Sequence, residues 1–198
     1  MGVVAGARHV YRRCKDWLTR YLANDDPYAA IANTAAFIVW SNQPTYPLYV
    51  AFLVGRDAWP SLLTWLSTPF FVAVPLLARR SPLAGRSLLV IAGLANSLLS
   101  LKAFGPESGI AWFFVPCLVI AVLFFRLREW PTIIVLATFT GLCALTAGHL
   151  GAPLHEFTPA EYTSLTHLNL YSVAALTPYL VIAAIRVRLS SARHAERA

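Results

Sequence analysis

The side chains able to do chemistry in this 198-residue chain are few, mostly neutral and set in apolar sequence. Asn33, Ser41, Asn42 and Gln43 fall in one apolar block, Asn96 in a second and Asn169 in a third. Amides in such blocks either join helices by hydrogen bonds, worth about 0.6–2 kcal/mol each, or line a ligand or proton path. Both readings stand on sequence alone. No block carries Asp, Glu, Lys or Arg near its middle. That argues against an ion-coupled transporter, which needs an ionisable group at mid-membrane. His149, His155 and His167, with Glu156, are the candidates for metal or haem ligation, but their spacing matches no metal motif. We therefore expect no metal and no cofactor. Cys117 and Cys143 read as small buried hydrophobes. The chain has no nucleophile–base pairing, no Gly-rich phosphate loop and no HExxH, so no catalytic residue and no enzyme activity are expected.

A second population is aromatic. Trp40, Tyr46, Tyr49, Trp59, Trp65, Phe70, Phe71, Trp112, Phe113 and Phe114 cluster toward one end of the apolar blocks. One reading is an interfacial aromatic belt with helix packing. The sharper one is a lipophilic pocket oriented by a few polar groups. Asn42, Gln43, Asn96, Trp112 and Phe113 are its candidate ligand-binding residues. Pro44 and Pro47 should kink the block that holds Asn42 and Gln43, leaving room for such a pocket.

The elements that would position these residues follow from composition. Hydrophobic residues make up 58% of the chain and charged residues 13%, with a mean hydropathy of +0.59. Soluble domains carry about 25% charged residues. Six blocks of membrane-spanning length fall at about 28–54, 58–78, 87–103, 110–125, 132–150 and 165–185. Arg8, Arg12, Arg13, Lys15, Arg20, Arg79, Arg80, Arg86, Arg126, Arg128, Arg186, Arg188, Arg193 and Arg197 lie on alternate joints and the two tails. Arg56 and Lys102 alone lie on the others, fourteen against two of the 16 basic residues. This bias puts both termini in the cytoplasm. It also explains the net charge of +7 without nucleic acid.

The expected fold is an all-α polytopic membrane protein of six transmembrane helices in a bacterial inner membrane. Residues 1–27 form a basic amphipathic segment, 28–185 the membrane domain and 186–198 a basic tail. Val10, Cys14, Trp17, Leu18 and Tyr21 share a helical face, so 7–22 reads as a helix on the anionic leaflet.

The stretch Phe104-Gly105-Pro106-Glu107-Ser108-Gly109-Ile110-Ala111-Trp112-Phe113-Phe114-Val115-Pro116-Cys117 carries a resemblance. It is similar to the third-to-fourth helix turn of the six-helix N-terminal domains preceding class III adenylyl cyclases of the mycobacterial type. The basic turn Arg126-Leu127-Arg128-Glu129 and the exit helix with Arg186, Arg188 and Arg193 also resemble that group. The receptor part of quorum-sensing histidine kinases has a similar layout. The resemblance implies the six-helix fold, a tendency to dimerise, and reception of a lipophilic or membrane-borne signal. It supplies no ligand residues. The chain ends about a dozen residues after its last span, so a cyclase or kinase output is not expected.

Three functions fit. The first is a stand-alone membrane sensor or regulatory module that binds a lipophilic small molecule and acts through a homodimer or a membrane or cytoplasmic partner. The second is a non-enzymatic subunit or assembly partner of a membrane complex, for which Ala92, Gly93, Gly141 and Ala144 would allow close helix contacts. The third is a small-solute transporter.

Overall fold

A computed structural model describes the chain over residues 2–195, with side chains over 9–191 and at Arg193. Arg197 and the Arg8 side chain, counted above among the basic residues, lie outside the described residues. Helices α1 (Gly2–Leu22), α2 (Pro27–Asn42), α3 (Tyr46–Val54), α4 (Thr68–Arg80), α5 (Pro82–Phe104), α6 (Phe114–Leu123), α7 (Trp130–Thr146) and α8 (Pro159–Ala195) make up most of it. No strand occurs among the described residues.

The starts of these helices are written in the sequence. The Asp26 carboxylate accepts hydrogen bonds from the Tyr28 and Ala29 amides at 2.9 and 3.0 Å, and Pro27 opens α2. Ser81 caps α5 by accepting from the Ala84 amide, again with Pro in the first turn. Thr158 and Glu161 exchange hydrogen bonds across the start of α8, a capping box. Helix α2 stops at Asn42 and α3 begins at Tyr46, with Pro44 between them and Pro47 in the first turn of α3.

The chain then reverses at Gly55, whose φ of +64° suits only glycine. Returning, it runs as 3-10 helix over Gly55–Ser67, so α-helix fills only the 68–78 part of the apolar block expected at 58–78. The physical reason is a stripe of hydroxyls three residues apart. Ser61, Thr64 and Ser67 each donate to the carbonyl three positions earlier, on Ala58, Ser61 and Thr64. A 3-10 helix repeats every three residues, so all of them lie on one buried face. The outgoing and returning arms are pinned together: the Trp65 indole donates to the Gln43 carbonyl at 2.9 Å.

Helix α5 forms the middle of the bundle and packs against α2, α4, α6 and the 3-10 arm. Leu89, Val90, Leu94, Leu101 and Phe104 along it are buried. It crosses α4 closely at Gly85, where a Cβ would lie 2.5 Å from that of Ala78. Beyond Gly105 come short 3-10 turns, Pro106–Ser108 and Ile110–Phe113, before α6. Helix α8 starts six residues earlier than the sixth apolar block and continues into the expected basic tail as far as Ala195. Its 37 residues span about 55 Å, beyond the roughly 30 Å of a bilayer core.

Among the described residues, four stretches are long and apolar enough to cross a membrane: Tyr46–Arg80, Pro82–Phe104, Leu127–His149 and Pro159–Ser191. The first contains the reversal at Gly55. Ile110–Leu123 is a shorter apolar stretch. Exposed Ile134, Val135, Phe139, Leu142 and Leu145 give α7 an apolar outer face.

Candidate functional site

The bundle has two chemically different ends. At one, the Arg86 guanidinium, only 1% exposed, meets Glu129 through two 2.8 Å hydrogen bonds. It also donates to the Phe124 and Pro82 carbonyls and lies 5.0 Å from the Phe125 ring centre. Arg126 pairs with Asp26 at 2.7 Å. Arg79 donates to the Arg20 and Tyr21 carbonyls, and Tyr21 to that of Val72, tying α1 to α4. Arg188 reaches the Val122 carbonyl. The basic joints recognised in the sequence are thus brought together here.

The opposite end carries the Gly105–Phe113 region and the loop before α8. Lys102, one of the two exceptions to the charge pattern, donates to the Leu150 and Ala152 carbonyls and so holds that loop. Phe104 stacks on Phe157, which His155 and Tyr162 meet edge-on. His167 lies against Tyr171 instead. Among the described residues no three His, Cys, Asp or Glu side chains gather as a metal site.

Between the ends lies a cavity of about 560 Å³. Its walls are α2 (Ile38, Val39, Ser41, Asn42), the bend (Gln43, Tyr46), the 3-10 arm (Thr64), α5 (Asn96, Ser97, Ser100), the turn before α6 (Ile110, Phe113) and α8 (Asn169, Ser172, Ala175, Leu176, Tyr179). Such a volume is in the range of small-molecule sites. Exposed Ser41, Asn42 and Tyr179 place its mouth between α2 and α8.

The cavity's polar wall is built by Gln43. This side chain is buried and fully used: Nε2 donates to the Thr64 carbonyl at 3.0 Å and to Ser67 Oγ at 2.6 Å, and Oε1 accepts from Thr68 at 2.7 Å. Ser67 in turn pairs with the Asn96 amide at 2.7 Å. On the other side Tyr46 donates to Asn169 Oδ1, and Asn169 Nδ2 donates to the Ser108 carbonyl at 2.9 Å. Asn33 lies away from this site, donating to the Leu22 carbonyl.

Of the residues singled out from sequence, Asn42, Gln43, Asn96 and Phe113 share the cavity lining. Trp112 does not; it is 53% exposed on the outer surface. Sequence reasoning missed Ser100, Ser172 and Tyr179 as wall residues. The signal was helical spacing: Asn96 and Ser100 are four apart, while Asn169, Ser172, Leu176 and Tyr179 follow steps of three and four. Of the small residues proposed for close contacts, Gly93 faces Cys117 Sγ, whereas Gly141 faces open space. A second groove of about 530 Å³ runs toward the basic end, lined by Ile31, Ile182, Ala183, Arg186, Val187 and Ser190, and shares Tyr179 with the cavity.

No curated protein and no solved structure matches the chain. A family match covers residues 21–198, leaving out only the greater part of α1. The chain belongs to the MASE7 family, a family of membrane-associated sensor domains.

Proposed function

We propose that this chain is a multi-pass sensor of the bacterial inner membrane that binds a lipophilic signal in the cavity between α2, α5 and α8. Membership of a sensor-domain family supports a sensing role without catalysis. The observation that carries the ligand is the cavity itself, which opens between apolar helices and is backed by amides and hydroxyls.

The proposed topology has six crossings: α2 with α3, the 3-10 arm with α4, then α5, the Ile110–Leu123 stretch, α7 and α8. Each reverses the direction of the one before, so both termini lie at the basic end, which the positive-inside rule puts in the cytoplasm. Output passes from that end to a cytoplasmic or membrane partner, or to a second copy of the chain. The apolar faces of α7 and α8 meet lipid.

Native mass spectrometry of protein released gently from its own membrane tests this reading. A discrete small lipophilic mass is expected on the native chain and not on Gln43→Leu, which breaks the hydrogen bonds that brace the polar wall. A bare native chain, or one whose bound mass ignores the substitution, refutes the ligand site.

A further inference from the structure

The cavity wall also specifies the charge of what it holds. Among the described residues, none that lines it is ionisable as Asp, Glu, Lys, Arg or His. A charged head entering from the membrane would leave water and meet no counter-charge. The wall is not plain hydrocarbon either. Ser100 is buried, and its hydroxyl has no hydrogen-bond partner among the described residues. That oxygen is not sealed inside protein, so it faces the cavity. Asn96, one turn away on α5, spends one side of its amide on Ser67, and the other has no partner among the described residues. The Asn42 side chain, at the mouth, accepts one long contact of 3.4 Å from Thr45, and its Nδ2 has no partner among the described residues. These groups need partners that a bare alkane cannot give.

We infer that the cavity selects an uncharged single-chain amphiphile, an ester, amide or alcohol, whose head pairs with Asn96 and Ser100 while its chain leaves between α2 and α8. This rests on the proposed ligand site and narrows it to one chemical class. Asn42, able both to donate and to accept, meets the head as it enters. The aliphatic walls Ile38 and Leu176 take the first part of the chain.

The experiment uses the full chain in nanodiscs of neutral lipid and probes of one chain length: methyl tetradecanoate, tetradecanoate, tetradecylammonium and tetradecane. Affinities are read by competition and expressed per mole fraction in the bilayer, which removes differences in partition. The ester should bind at least tenfold more tightly than the anion, the cation or the alkane. Ser100→Ala should weaken the ester several-fold. It removes a hydroxyl that no protein group uses, so folding is not at stake, whereas Asn96→Leu also breaks the Ser67 contact. Tetradecanoate or tetradecylammonium binding as well as the ester overturns the charge inference and leaves the ligand site standing. Equal binding of tetradecane, or no effect of Ser100→Ala, removes the polar contact. If no probe binds, the ligand site falls with the inference.

Discussion

Removing the Glu129 carboxylate should be among the most damaging single changes in this chain. Its partner Arg86 is 1% exposed and sits among Phe124, Phe125 and the start of α5. With Glu129→Ala the guanidinium keeps its bonds to the Phe124 and Pro82 carbonyls but has no counter-charge. Breaking one side of a buried ion pair costs about 3–5 kcal/mol. Glu129 is itself 15% exposed, so water reaches one side and the lower value applies. Glu129 also accepts from the Arg126 amide at 2.7 Å, so the turn before α7 loosens as well. A loss of about 3 kcal/mol lowers the melting temperature of a chain this size by about 6–12 °C. Buried Cys117 and Cys143 report the transition in mild detergent, because unfolding exposes their thiols to a fluorogenic maleimide. Arg86→Met combined with Glu129→Leu removes both charges, and the pair should be less damaged than the sum of its parts by about 2 kcal/mol. If Glu129→Ala melts within about 3 °C of the native chain, water solvates Arg86 and the clasp does not hold this end together.

Two further outcomes follow from packing and exposure. Gly85→Ala forces a Cβ onto Ala78 at 2.5 Å and should destabilise by about 1–3 kcal/mol, whereas Gly141→Ala meets nothing within 4 Å and should gain up to about 1 kcal/mol from helix propensity; paired melts in detergent compare them, and equal effects would sink the packing argument. Cys14 is exposed while Cys117 and Cys143 are buried, so a membrane-impermeant maleimide should label Cys14 alone. Labelling is expected in inside-out vesicles and absent from intact spheroplasts, and the reverse pattern would invert the proposed topology.

The apolar blocks and their charged joints were readable because membrane insertion is decided by length, hydropathy and Arg placement, all local quantities. The clustering of Arg79, Arg86, Arg126 and Arg188 at one end follows from them. The 3-10 arm was harder. Ser61, Thr64 and Ser67 look like scattered polar residues until their spacing of three is set beside Pro60, which already deprives an α-helix of one hydrogen bond. Part of the cavity lining was visible because Asn42, Gln43 and Asn96 are costly in lipid and therefore stand out. Ser100, Ser172 and Tyr179 are ordinary in membrane helices, and only the approach of α8 to α2 gives them a role. Trp112 lies off the cavity for a related reason. Aromatic residues serve lipid interfaces and pockets alike, and the turn at Ile110–Phe113 points Phe113 inward while Trp112 stays outside.

The two sides of the cavity are braced unequally, and this predicts how a bound ligand would be felt elsewhere. The wall of α5 and the 3-10 arm is cross-linked by Gln43, Ser67, Thr68 and Asn96. Across from it, α8 is fixed near its start by Asn169 and Thr166, which bond to Tyr46, Ser108 and Glu107. Further along, Ser172, Leu176 and Tyr179 make no side-chain hydrogen bond to another helix among the described residues. Pro178 lacks an amide proton, so the α8 backbone loses a hydrogen bond just there. A ligand lodged between α2 and α8 therefore acts on α8 beyond its anchor, and the helix runs on to the basic end, where Arg188 touches the Val122 carbonyl at 3.4 Å. Hydrogen exchange with and without methyl tetradecanoate should change in 172–190 and stay level in α4 and the first half of α5. A bound ligand that protects only α5 and the 3-10 arm would show that α8 is a passive wall and that the signal leaves by another helix.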